Sequence, residues 1–176
     1  MQQKGYGGIS AQDIADELEF SKANFFYHVK SKEDLLYHIF VDTYQFAVRH
    51  YEEILTREAP AAEKLRALID FYVRLMTEHG AVMQVWFKER AHLTPEHEAE
   101  ALRFERRIQA LMSNFYTDAI RRGEFRDINP RLASISIFGM CFALTKWPEL
   151  RDQLSMTELT EQMQQLASGA LLRKDR

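Results

Sequence analysis

ISAQDIADELEFSKANFFYHVKSKEDLL, residues 9–36, carries three helix starts in close succession. Ser10 precedes Ala11 to Leu18 and has Asp13 three residues on. Ser21 precedes Lys22 to Val29, and Ser31 precedes the run from Lys32, with Asp34 three residues on. A serine hydroxyl accepts a hydrogen bond from an unpaired N–H of the first turn, and an acid there meets the positive helix end. Only Glu19 and Phe20 separate the first two helices, so the pair turns sharply, which is helix-turn-helix spacing. Helices this short do not persist alone. Ile14, Leu18, Phe20, Phe25 and Val29 are the apolar residues available to hold them together.

The residues Gly5-Tyr6, Ser10, Asp13-Ile14-Ala15, Ser21-Lys22, Asn24, Tyr27-His28 and Ser31-Lys32-Glu33-Asp34-Leu35-Leu36 resemble the DNA-binding module of the TetR (tetracycline-repressor-like) family of bacterial regulators. Beyond this module the resemblance lies in architecture rather than in residues. It implies that Ser21 to His28 is a recognition helix in the DNA major groove. Ser21, Lys22, Asn24, Tyr27 and His28 are then the contacts, Lys32 reaches a phosphate, and Ser10 presents its helix N-terminus to the backbone. The chemistry suits those roles: lysine and hydroxyls bind phosphate, and asparagine reads adenine bidentately. Two departures bear on the interface. Phe26 stands where the family usually has tyrosine, which removes one phosphate hydrogen bond, and Glu19-Phe20 replaces the common Gly-Val, which puts an acid near the DNA side. The family also has a first helix before Lys4-Gly5-Tyr6. Only Met1 to Lys4 stand in its place, so most of that helix is expected to be missing.

The 176 residues suit one compact helical unit, or a small head on a larger body. A hydrophobic fraction of 46% supports a sizeable core, and 28% charged residues fit a soluble chain. Net charge is −3, and Met1 to His50 carries more acids than bases, so bulk charge does not point to nucleic acid. The local field does. Phe20 to Ser31 contains no acid, while Lys22 and Lys30 lie within it and Lys32 follows. Cys141, the single cysteine, cannot form a disulfide within the chain, which fits a reducing compartment. MQQKGYGG has no apolar signal core, and no apolar run is long enough to cross a bilayer, so the expected location is cytoplasmic, with no membrane partner.

The remaining pattern is all-α. Leu35, Leu36, Ile39, Phe40, Thr43, Phe46, Ala47 and Tyr51 share one side of a strut from Lys32 to about Leu55. A helix from Glu63 to Glu78 is expected to close at His79-Gly80, followed by a short one from Ala81 to Ala91. Thr94-Pro95-Glu96 opens a long helix that runs to Arg122 and stops at Gly123. Asn129-Pro130 opens another, to about Trp147, and Ser155-Met156-Thr157-Glu158 is a capping box for the last, ending near Leu172. The division is a helix-turn-helix DNA-binding head, residues 1–46, joined by the long helix to an effector-binding and dimerisation body, residues 47–176.

Phe71, Tyr72, Met76, Met83, Trp86, Phe87, Phe104, Leu111, Met112 and Phe115 are the candidate effector-binding residues. At helical spacing such residues are ordinarily core. The resemblance implies a cavity among these helices, and methionine and aromatic walls suit a flexible apolar ligand. Arg90, Arg103, Arg106 and Arg107 are candidates to neutralise a phosphate or carboxylate head group. The chain is most similar to members that respond to acyl-CoA thioesters, which implies a repressor released by a long-chain acyl-CoA or fatty acid. The last two helices, Arg131 to Trp147 and Thr157 to Leu172, are expected to pair two chains through Ile135, Phe138, Phe142, Leu159, Met163 and Leu166, with Ala167, Gly169 and Ala170 allowing close approach. Glu89-Arg90-Ala91-His92 has the spacing of a carboxylate metal site but no second copy, so no metal or other cofactor is expected. His97 between Glu96 and Glu98 reads as surface, and Cys141 as buried core. No catalytic constellation can be assembled. A ligand-responsive regulator bound to double-stranded operator DNA is the leading expectation. The alternative is a helical ligand-binding or interaction protein that has lost DNA binding.

Overall fold

A computed structural model describes residues 31–173, and every regular element within them is helical. The first, α1, spans Lys32–Leu55 and opens where the third serine stands: Ser31 Oγ accepts from the Asp34 N–H at 3.0 Å. Its 24 residues make a strut roughly 36 Å long. Leu36, Phe40, Ala47, Val48, Tyr51 and Ile54 are its buried stripe. Phe46, expected inside, is 37% exposed and packs against the His50 ring on the outer side.

Helix α2, Ala61–Glu78, is the centre of the body and contacts α1 and the helices Pro130–Phe142 and Met156–Leu171. Leu65, Leu68, Ile69, Tyr72, Val73 and Met76 are almost wholly enclosed. Pro60 gives this helix no side-chain cap. The anion at its N-terminus comes instead from Glu124, far along the chain, which accepts the Ala61 N–H at 2.6 Å. Helix α3, Gly80–Glu89, follows with only His79 between, then a 3-10 turn at Arg90–His92. The helix thus closes at His79-Gly80 as expected, and Gly80 also opens the next one. A Cβ at Gly80 would stand 3.1 Å from Thr145 Cγ2, so the glycine permits close approach of the two segments.

Helix α4, Pro95–Arg121, opens on Thr94, whose hydroxyl accepts from His97 N–H at 3.3 Å, and stops before Gly123 at φ 74°. Helix α5, Pro130–Phe142, opens on Asn129, which accepts from the N–H groups of Arg131 and Leu132. The expected single helix to Trp147 is shorter: a 3-10 turn at Ala143–Thr145 ends it, and a four-residue helix, α6, Leu150–Gln153, follows. Helix α7, Met156–Leu171, has the full capping box between Ser155 and Glu158. Its Leu159, Met163, Ala167 and Leu171, one turn apart, are buried in the same core as α2. A second, smaller core of Leu36, Phe40, Trp86 and Ala101 ties the first half of α1 to α3 and α4.

Candidate effector cavity

Five helices converge on a cavity of about 350 Å³, within the size range of small-molecule sites. Helix α1 presents Phe40, Thr43, Tyr44, Ala47 and Tyr51, a single helical stripe. Helix α4 presents Glu105, Ile108, Gln109 and Met112 with the same periodicity. Helix α3 adds Val82, Met83, Trp86 and Phe87; α5 adds Ser134, Ile135 and Phe138; Tyr72 and Leu75 of α2 complete the lining. Trp86 stands edge-on to Phe40, with ring centroids 4.3 Å apart, and to Tyr44 at 5.1 Å. The walls are mainly apolar, and the polar groups in them are largely committed to each other.

Thr43 donates its hydroxyl to the Ile39 carbonyl at 2.7 Å. The one carboxylate in the wall, Glu105, accepts from the Tyr44 hydroxyl at 2.6 Å and from Arg90 at 2.7 Å. Arg90 also lies over the Trp86 ring, 4.9 Å from its centroid, and 3.6 Å from Glu98. Burial, then the hydrogen bond to Glu105, pushes the Tyr44 phenol far above its ordinary range. Burial does the same for Tyr51 and Tyr72, which hydrogen-bond to each other. The cavity therefore offers neutral phenols and one already satisfied carboxylate.

Of the ten residues expected to bind an effector, Tyr72, Met83, Trp86, Phe87 and Met112 line this cavity. The other five lie elsewhere. Phe71 is next to Tyr72 but about 100° round the helix, and it stacks on His50 in a polar groove on the outer side of α1 and α2. Met76 is sealed in the main core, with Leu111 packed against it. Phe115 packs edge-on to Phe125 beyond the cavity floor, and Phe104 stacks behind Tyr44 at 5.9 Å. Sequence reasoning missed the α1 and α5 contributions, Tyr44 and Ser134 among them. Periodicity marked those residues as inward without marking what they face.

The four arginines proposed for a head group also separate. Arg90 is tied to Glu105 and Glu98, and Arg107 to Glu52. Arg103 stands near Tyr37. Arg106 enters a second pocket, of about 360 Å³, lined by Arg106, Gln109, Ala110 and Ser113 of α4 with Arg131, Ser134 and Ile135 of α5. Gln109, Ser134 and Ile135 line both pockets, so the apolar cavity adjoins this basic one.

Of the expected DNA contacts, Ser10, Ser21, Lys22, Asn24, Tyr27 and His28 lie outside the described residues. Lys32 is the first residue of α1. The next residue clamps α1 to the start of α4. Glu33 accepts from the Thr94 N–H at 2.9 Å and bonds His97 Nδ1 at 2.7 Å. The His97 ring stacks on Tyr37, centroids 3.7 Å apart at 6°. His97 is thus a bridging residue, not the free surface residue its acidic neighbours suggested. Burial and a hydrogen bond to Glu100 push the Tyr37 phenol to about 12.

Among the described residues no helix is long and apolar enough to cross a membrane. Residues 58–171 match the tetracyclin repressor-like C-terminal domain model, and residues 1–39 match the model of bacterial regulatory proteins of the tetR family. No curated protein sequence matches the chain significantly. Among solved structures, a tetR-family regulatory protein from Rhodococcus RHA1 superposes with a TM-score of 0.85 at 22% identity, over 98% of this chain and 90% of that one. A TetR/AcrR-family regulator from Thermobifida fusca gives 0.75 at 28% identity, over 94% and 88%. AibR in complex with isovaleryl coenzyme A and operator DNA gives 0.79 at 24% identity, over 95% and 89%. With models of both halves matched, and the C-terminal one spanning most of the described helices, the chain belongs to the tetracycline-repressor-like (TetR) family of DNA-binding transcriptional regulators.

Proposed function

We propose that this protein is a cytoplasmic, homodimeric repressor, not an enzyme, that releases operator DNA when an acyl-bearing apolar effector enters the cavity. The observation that carries this reading is that one face of α1 forms a wall of the cavity while Lys32, at its other end, adjoins the recognition residues. Ser21, Lys22, Asn24, Tyr27 and His28 read the DNA, with Ser10 and Lys32 on phosphates. The head, residues 1–46, and the body, residues 47–176, thus share one continuous helix. Tyr72, Met83, Trp86, Phe87 and Met112, joined by Tyr44 and Phe138, hold the effector. The fold likeness to AibR, with its isovaleryl coenzyme A, is in keeping with an acyl thioester.

Two heads need a two-fold axis to meet successive half-sites. Leu132 of α5 and Leu166 of α7 are 56% and 61% exposed, and Ile135, which also lines the cavity, is 57% exposed. These exposed apolar side chains on α5 and α7 support pairing. Leu159, Met163 and Ala167, expected at the same interface, are buried inside the chain instead, because they form the α7 stripe that packs in the α2 core.

An effector shifts the equilibrium only by its differential affinity for the two head spacings, typically about 1–3 kcal/mol, or roughly 5–150-fold in operator affinity. The test titrates long-chain acyl-CoA, the free fatty acid and a short-chain acyl-CoA against an operator complex followed by fluorescence anisotropy. Release by the acyl compounds supports the reading. Release only by a flat aromatic compound replaces the effector class, and no release by any small molecule makes the cavity ordinary core.

A further inference from the structure

We propose that the effector carries a phosphate-bearing head on its acyl chain, and that Arg106 and Arg131 hold that head in the pocket between α4 and α5. This rests on the effector reading of the adjoining cavity and adds the chemistry of the other end of the ligand.

Around α4, Glu105, Ile108, Gln109 and Met112 face the apolar cavity, while Arg106, Gln109, Ala110 and Ser113 face the second pocket. Gln109 belongs to both stripes, and Ser134 and Ile135 do the same on α5. A chain lying along these three residues passes from one pocket to the other. Arg106 and Arg131 make no ion pair among the described residues, whereas Arg90, Arg74, Arg107, Arg121 and Arg122 each have an acidic partner. No acid lines the second pocket. Two guanidiniums without an acidic partner on neighbouring helices, with Ser113 and Ser134 in the same lining, form a site for a group that presents several anionic oxygens.

The inner cavity argues for the same orientation. Its only charged wall group, Glu105, is already engaged by Arg90 and Tyr44, so the cavity offers an anion no cationic partner; the head stays outside and the acyl chain goes in. A free carboxylate needs one guanidinium; a phosphate ester, whether on a nucleotide or on a lysophospholipid, uses both.

The test measures binding to the full chain by isothermal calorimetry, using decanoyl-CoA, decanoyl lysophosphatidic acid, decanoate and CoA without an acyl chain. Wild-type protein should bind both phosphate-bearing decanoyl compounds more tightly than decanoate, and added salt should narrow the difference. In the Arg106→Gln/Arg131→Gln double variant those two ligands should weaken by roughly tenfold or more, with decanoate unchanged as the control for an intact cavity. Preference for decanoyl-CoA alone assigns the head to a nucleotide, and equal binding of the two assigns it to the phosphate. If all three decanoyl ligands bind equally and the double variant matches wild type, the head-group site is refuted while the acyl cavity stands. If no decanoyl ligand binds, both readings fall together.

Discussion

Replacing Trp86 with alanine tests the cavity and its link to the head in one variant. Trp86 is 6% exposed and belongs to two structures at once: the cavity wall, and the small core with Leu36, Phe40 and Ala101 that fixes the first half of α1. Truncating a buried aromatic to alanine costs about 3–5 kcal/mol. The indole already borders an open space, which moves the expectation to the lower end of that range. Loss of the Arg90 contact over the ring adds about 0.5–1 kcal/mol, while Arg90 keeps Glu105 and Glu98. The sum is about 3–4 kcal/mol. Urea unfolding at a fixed protein concentration, followed by circular dichroism, reads it directly, and concentration must be held because association shifts apparent stability. Trp147→Ala is the control: that ring is 54% exposed and its loss should stay within about 0.5 kcal/mol. The same Trp86→Ala protein should lose acyl-ligand binding. A stability loss below about 1 kcal/mol would show that the ring is not packed as described, and undiminished ligand binding would remove Trp86 from the effector site.

Glu124→Ala takes away the carboxylate that accepts the Ala61 N–H at the α2 N-terminus and should cost about 1–2 kcal/mol in the same assay, with Glu124→Gln costing less because it keeps an acceptor for that N–H. Burial raises the Cys141 thiol from 9.0 to about 12, so at pH 8 only roughly one part in ten thousand is thiolate. Native protein should resist alkylation at pH 8, and the thiol should react on unfolding; fast native labelling would contradict the burial. The linkage runs one way: this group's contribution to stability is full below pH 9 and is lost as pH rises toward 12, because the unfolded chain releases the proton first. Lys32→Ala should weaken binding to every duplex and lower the salt slope by about one unit; a change confined to one sequence would show that Lys32 reads a base.

The helix starts were legible in the chain because their determinants are local. Ser31, Thr94-Pro95, Asn129-Pro130 and the Ser155–Glu158 box each cap the helix that follows them within three residues. The strut from Lys32 to Leu55, the inward stripe of α2 and the stop at Gly123 are equally local. The resemblance of residues 9–36 carried the family, which no periodicity could have supplied. What tertiary packing decided was direction and partnership. Tyr72 and Phe71 are neighbours of similar character, yet one faces the cavity and the other an outer groove, because the positions of α1 and α3 around α2 are not encoded in α2. Leu159 and Leu166 are both apolar on one helix, and only the docking of α7 into the α2 core separates the buried stripe from the exposed face. Gly80 is legible as a helix stop, but its close approach to Thr145, 3.1 Å from where a Cβ would be, is visible only in the fold. Four arginines looked equivalent in the sequence; Glu105, Glu98 and Glu52, reached only through the fold, neutralise Arg90 and Arg107 and leave Arg106 facing Arg131 across α4 and α5. A charge's partners lie wherever the folded chain brings them, so spacing alone could not say which guanidinium would find an acidic partner.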